Sequence, residues 1–230
     1  MALEHAAVRD ALIEETLRLM ETGGLEAVKA RPLADAAGIS VGTIYNLFGS
    51  VDQLILAANL RTYEHLNSLG RSAMVEIEAR LRARIAEGAL ADTPRSRCLA
   101  RLLGLAETYV DFVSDNAARW SALLAFNRLR GEAARADSVE QLSALMGIIA
   151  GVLEDVPIWR SSRDRRLAAR ALWSAVHGII VTNYVGTDRV AARAATMDLI
   201  RLLVTTLVDG MYGTTHGREA REVDYITTAR

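Results

Sequence analysis

Apolar residues recur every three or four positions through most of this chain, the period of a helix buried along one face. Val8, Leu12, Ile13, Leu17 and Met20 define an amphipathic helix over 5–20, which Gly23 and Gly24 end. A long helix is expected over 52–87, with Leu54, Ala58, Leu66, Leu69, Ala73, Ile77, Leu81 and Ile85 on one side and Gly70 as a bend. Thr93 and Pro94 supply a cap and a first-turn proline for a helix continuing through Leu99, Leu102, Leu103, Ala106, Tyr109, Val110 and Val113. Further helices are expected over 115–126, 138–156, 163–184 and 188–211, with Pro157 closing the second of these and Gly186–Thr187 separating the last two. The stretch 127–136 is weakly patterned and reads as a surface loop, and 213–230 as a loosely held polar tail. No strand-like alternation competes with this reading. The expectation is an all-α protein of about nine helices.

The segment 29–54, K-A-R-P-L-A-D-A-A-G-I-S-V-G-T-I-Y-N-L-F-G-S-V-D-Q-L, is the most specific in the chain. Leu33, Ala34 and Ala37 form a small apolar face. Gly38 accepts positive φ just past a helix end, Ile39 plugs the turn, and Ser40 caps the next helix. That helix, 41–48, buries Ile44, Leu47 and Phe48 and leaves Val41, Thr43, Tyr45 and Asn46 free. Gly49 stops it, and Ser50 with Gln53 forms a capping box for the long helix. Two short helices around a glycine-containing turn, the second presenting small and polar side chains, is the layout of a helix-turn-helix.

The segment resembles the DNA-binding head of TetR-type repressors, whose pattern is roughly V-R-x-I-A-x-x-A-G-V-S-x-G-T-L-Y-x-H-F-x-S-K-x-x-L. Matching residues are Arg31, Leu33, Ala34, Ala37, Gly38, Ile39, Ser40, Gly42, Thr43, Ile44, Tyr45, Phe48, Ser50 and Leu54. Lys29 stands where the family usually has a capping threonine, Pro32 is unusual, Leu47 replaces a common histidine, and Val51 replaces a lysine that commonly meets phosphate. The resemblance implies an N-terminal three-helix bundle over 1–55, a helical ligand-binding and dimerisation bundle over 56–212, and a polar tail over 213–230. It places Lys29, Arg31, Ser40, Val41, Gly42, Thr43, Tyr45 and Asn46 at double-stranded DNA. Tyr45 points off the buried face toward phosphate, and Asn46 suits bidentate pairing with adenine. Lys29 and Arg31 fit phosphate contacts and ordinary solvated charges equally well.

Charge complicates that picture. The chain of 230 residues has net charge −1, and Lys29 is its only lysine. Residues 1–50 hold four basic side chains (Arg9, Arg18, Lys29, Arg31) against seven acidic ones (Glu4, Asp10, Glu14, Glu15, Glu21, Glu26, Asp35), a balance of −3. DNA affinity rests heavily on phosphate neutralisation. Such a head must segregate its charges and rely on two subunits acting together. Cys98 is alone, which rules out an internal disulfide and suits a reducing cytoplasm. No apolar run reaches membrane-spanning length.

Two C-terminal patterns carry the remaining chemistry. Trp173 and His177 share a helix face at i,i+4, and Gly178 follows. This resembles the W-x-x-x-H-G signature of one class of TetR-type C-terminal domains. His177 reads either as a hydrogen-bonded core residue or as a polar anchor in a ligand pocket. Tyr109, Phe112, Trp120, Phe126 and Met146 are further candidate walls, and equally candidate core. The last helix is apolar over more than one face, with Met197, Ile200, Leu203, Val204 and Leu207 central and Leu199 and Leu202 broadening the stripe. A core helix and an interface helix share that pattern. The resemblance implies the second, a dimer formed by the last two helices.

Nothing indicates catalysis. There is no phosphate-cradling glycine loop, paired cysteine, metal-spaced histidine cluster or nucleophile motif, and no cofactor or metal is expected. The expectation is a homodimeric, cytoplasmic, effector-responsive regulator, most simply a repressor released from a palindromic operator by a small, largely apolar effector. The alternative is an all-helical small-molecule binding protein or enzyme with a vestigial DNA-binding head.

Overall fold

The computed structural model describes residues 2–130, 139–159, 161–183 and 189–213. Among these are nine α-helices: α1 Ala2–Gly23, α2 Ala30–Ala37, α3 Val41–Phe48, α4 Val51–Ala86, α5 Pro94–Asp115, α6 Ala117–Arg130, α7 Val139–Val152, α8 Ser162–Asn183 and α9 Arg189–Gly213. Local chemistry sets most boundaries. The Ser40 hydroxyl accepts from the Thr43 amide, Ser50 from Gln53 and Thr93 from Ser96, each at 3.1 Å. Gly38 ends α2 at φ 64°, and the Ile39 amide donates to the Ala34 carbonyl at 3.0 Å.

Two hydrophobic cores form. The first joins α1, α2, α3 and the start of α4, with Leu12, Met20, Leu33, Ile44 and Leu54 fully buried. The second joins the rest of α4 with α5, α7, α8 and α9 around Val110, Leu153, Ile180 and Ile200. Two helices belong to both. α4 runs unbroken from one core into the other. α6 sends Trp120 and Leu123 into the second core, and Ala122 and Phe126 into the first.

Two helix ends and one expected bend depart from the periodicity in ways the contacts explain. α6 continues through Arg130 rather than stopping at Phe126. Asn127 donates to the Tyr63 hydroxyl at 3.1 Å, and Arg130 pairs with Asp52, so two tertiary contacts hold this turn. The rest of that expected loop, 131–136, lies outside the described residues. α7 ends at Val152 rather than 156, because i→i−3 bonds from Leu153, Glu154 and Val156 tighten the chain ahead of Pro157. Gly70 belongs to a continuous helix. A side chain there would stand 3.2 Å from Ile148 Cδ1, so this glycine lets α7 approach α4. The expected break at Gly186–Thr187 and the tail from 214 onward lie outside the described residues.

Gly104 sets the approach of α5 to α4. A Cβ there would lie 2.6 Å from Ile77 Cδ1 and 2.7 Å from Ile77 Cγ1. Gly104→Ala gains helix propensity of about 1 kcal/mol. Overpacking, at about 1–3 kcal/mol, outweighs it. Urea denaturation is expected to show a lower midpoint; an unchanged or raised midpoint would mean that Ile77 swings aside freely.

Candidate nucleic-acid interface and internal cavity

The α2–α3 pair presents a small, well-fixed surface. Ile44 and Phe48 anchor α3 to the first core. Val41 and Tyr45 stand on the opposite side at 37% and 48% exposure, with Gly42 and Asn46 exposed beside them. Thr43 is half-buried, and its hydroxyl shares a 2.9 Å hydrogen bond with Ser40, so both oxygens belong to the helix cap. Lys29 precedes α2 in extended backbone and Arg31 lies in its first turn, both exposed. Among the described residues, neither makes an ion pair.

The acids behave differently. Asp10 and Glu14 face Arg61 at 3.0 and 3.4 Å, Glu15 pairs with Arg18 at 2.5 Å, and Glu21 pairs with Arg119. The hydrogen bond from Arg18 holds the Glu15 carboxyl below its usual range. Two of these arginines sit on α4 and α6, beyond the first fifty residues. The acidic balance of the head is thus partly offset by the rest of the chain. Exposed pairs of this kind contribute little stability, but they neutralise charge locally.

Arg9 is a residue the sequence pattern did not single out. Its guanidinium donates to the Leu47 carbonyl at 2.9 Å and lies 4.2 Å from the Phe48 ring centroid. A cation at the last turn of α3 suits the negative end of the helix dipole and fixes α3 against α1. The contact spans 38 residues, so no local pattern announces it.

A narrow cavity of about 50 Å³ lies in the second core between α4, α5, α7, α8 and α9. Leucine, isoleucine and valine side chains make most of its wall, and Tyr109 and Trp173 make the remaining face. These two rings stack at 4.4 Å between centroids. The Tyr109 hydroxyl and His177 Nδ1 are 2.6 Å apart. Burial pushes the Tyr109 hydroxyl well above its ordinary value and lowers His177, so both are neutral near pH 7. With the His177 proton on Nε2, Tyr109 donates to Nδ1.

The candidate pocket residues therefore separate into three places. Tyr109 and Trp173 line the cavity, and His177 joins it through Tyr109. Trp120 forms a second layer, edge-on to Tyr109 at 5.8 Å, to His177 at 6.2 Å and to Phe112 at 5.7 Å. Tyr63, outside the original set, completes this cluster at 6.1 Å from Trp120. Met146 packs half-buried against the second core. Phe126 is buried in the first core, on the far side of α6.

The apolar stripe of α9 also divides. Met197, Ile200 and Val204 are 7%, 0% and 1% exposed and already covered by their own chain. Leu203 and Leu207 are half-buried. Leu199 and Leu202 are the open apolar positions, at 42% and 68%, and Leu167 on α8 is 67% exposed. Ala171, Ser174 and Ala175 give α8 a small-residue outer surface. No group of three or more potential metal ligands occurs among the described residues, and no helix among them is long and apolar enough to cross a membrane.

Comparison with known proteins finds two family models along the chain. A family model described as bacterial regulatory proteins of the tetR family matches residues 12–58. A second, described as the tetracyclin repressor-like C-terminal domain, matches residues 102–207. The HTH-type transcriptional regulator PksA of Bacillus subtilis is 24% identical over 178 residues, 77% of this chain and 78% of that protein. The HTH-type transcriptional repressor KstR of Rhodococcus jostii is 38% identical over 64 residues, 28% of this chain and only 30% of that protein's length. A putative TetR-family transcriptional regulator from Mesorhizobium loti superposes with a TM-score of 0.64 at 16% identity, covering 90% of this chain and 96% of that one. Both family models describe regulators rather than enzymes. With one matching the head and the other the body, the chain belongs to the TetR family of transcriptional regulators.

Proposed function

We propose that the chain is a homodimeric repressor that binds a palindromic operator through α3 and leaves it when a small, largely apolar effector enters the cavity of the second core. The carrying observation is the surface of α2 and α3: Val41, Tyr45 and Asn46 exposed, Lys29 and Arg31 without carboxylate partners, and the nearby acids of α1 occupied elsewhere. On this reading Tyr45 and the two cations meet phosphate, while Val41 and Asn46 face base edges. Thr43 and Ser40 act through the helix cap. The reader head comprises residues 1–55, the effector and dimer body 56–212, and the protein works in the cytoplasm.

The α8–α9 surface is the proposed dimer face. Leu167, Leu199 and Leu202 supply its apolar area, and the small residues of α8 let a partner helix approach closely. Leu203 and Leu207 border it; Met197, Ile200 and Val204 support it from inside. The effector acts through α6, since Trp120 touches the Tyr109–His177 pair while Phe126 sits in the head. In this scheme the Trp173, His177 and Gly178 signature marks the effector wall.

Two cations per subunit give a modest electrostatic footprint. In a gel shift on the DNA upstream of its own operon, the logarithm of affinity is expected to fall with the logarithm of salt at a slope of about −4, from roughly four phosphate contacts per dimer. Absence of any sequence-preferring shift at low salt would sink the regulator reading. Tyr45→Phe is expected to weaken binding by about 1.5 kcal/mol per half-site, equally across operator variants, because it removes a hydrogen bond to phosphate. Selective loss at one base pair would instead assign Tyr45 to base readout. Leu202→Glu is expected to give monomers in sedimentation velocity, with the melting temperature of the head unchanged. A persistent dimer would place the interface on another face.

A further inference from the structure

Resting on the reading of this cavity as the effector site, we propose that the effector is uncharged: an aliphatic or alicyclic molecule carrying one hydrogen-bonding oxygen, received by the Tyr109–His177 pair. The wall offers a charge no partner. No side chain lining the cavity is acidic or basic. Its hydroxyls are those of Thr108 and Tyr109, and Thr108 already donates to the Gly104 carbonyl at 3.0 Å. That leaves two polar features a ligand can meet, the Tyr109–His177 hydrogen bond and the indole N–H of Trp173, and both suit a neutral oxygen.

The charged residues of the surrounding helices point away. On α5, Arg101 is held by Glu78 at 2.5 Å, and Glu107 and Asp111 face Arg193 of α9 at 3.4 and 2.7 Å. Arg170 of α8 is exposed. A carboxylate, phosphate or ammonium entering between Leu145, Ile149 and Val204 would lose its water and gain no counter-charge, which excludes such ligands. His177 does not rescue an acid, because burial favours its neutral form. The aromatic wall made by stacked Tyr109 and Trp173 is flat and suits an apolar face laid against it.

Entry follows from the same geometry. The present cavity of about 50 Å³ is much smaller than an ordinary ligand pocket, so occupancy must separate its walls. Ile148 and Thr108 are half-buried at its edge, beside Gly70. Because Gly70 has no side chain, it is the terminal methyl of Ile148 that faces α4 at this point, and a methyl on a rotatable bond yields easily. A compact neutral molecule passes; a solvated ion does not.

The test uses the full chain and follows tryptophan fluorescence, with thermal shift alongside, during titration with 1-octanol, 2-octanone, n-octane, octanoate and octylamine at pH 8. Octanol and octanone are expected to bind at least tenfold tighter than octanoate or octylamine. Octanoate or octylamine binding as tightly as octanol would overturn the neutral-effector assignment while leaving the cavity as the effector site. Tyr109→Phe, which preserves ring volume and is checked by circular dichroism, is expected to weaken octanol about fivefold and leave n-octane unchanged. An equal effect on both ligands would overturn Tyr109 as the anchor. No response to any of the five would overturn the cavity itself as the effector site, and with it this part of the proposed function.

Discussion

The rest of this structure depends on one helix packing into two cores at once. α6 is only 14 residues long, yet Trp120 lies in the body and Phe126 in the head. These side chains are six positions apart on a rigid rod, so a displacement at one is carried to the other. Protein interiors are packed tightly enough to transmit such a shift rather than absorb it. The Glu21–Arg119 and Asp52–Arg130 pairs brace the same junction from outside. α4 supplies the second continuous path, with Leu66 at the cavity and Leu54 in the head. On the proposed reading, an effector that widens the cavity would act on α4, which packs against α3, and on α6, which packs against α1 in the same core. It shifts the equilibrium only by its differential affinity for the two arrangements, and a nearly complete switch needs about 5.5 kcal/mol of preference.

The head was legible in the sequence because its determinants are local. Gly38, Ser40, Gly49 and Ser50 each act within a few residues, and each appears in its expected place. What periodicity missed was tertiary. Arg9 reaches across 38 residues to close the end of α3, and Asn127 reaches Tyr63 across 64. Neither spacing carries a pattern. The extra turn of α6 exists because of such contacts, so a weakly amphipathic stretch misread it as loop. Phe126 was grouped with the pocket aromatics because composition says that a ring is buried, not which core buries it.

The same ambiguity governs the last helix. A segment apolar around most of its circumference gives no phase to its periodicity. Met197, Ile200 and Val204 therefore looked equivalent to Leu199 and Leu202. Three dimensions separate them, because α5 and α8 cover the first group and leave the second open. The chemistry of the cavity was equally hidden. Trp173 and His177 announce a shared helix face, but only the fold brings Tyr109, 68 residues away, into hydrogen-bond contact with His177.

Weak charge and strong geometry fit together in the proposed dimer. α3 carries no lysine or arginine; near it, among the described residues, Lys29 and Arg31 stand without ion pairs, while Arg9 is held on the Leu47 carbonyl and the Phe48 ring. On that proposal a single head would hold DNA poorly, and useful affinity would require both heads to engage successive major grooves together. Joint engagement tolerates little error in the distance between heads, because the second contact is lost outright when the spacing is wrong. A reader with a dense basic surface would remain bound through phosphate alone after such a change. This reader would not. In the proposed scheme its poverty of charge would make it responsive to a small movement of α4 and α6, such as separation of the walls of a narrow apolar cavity would require.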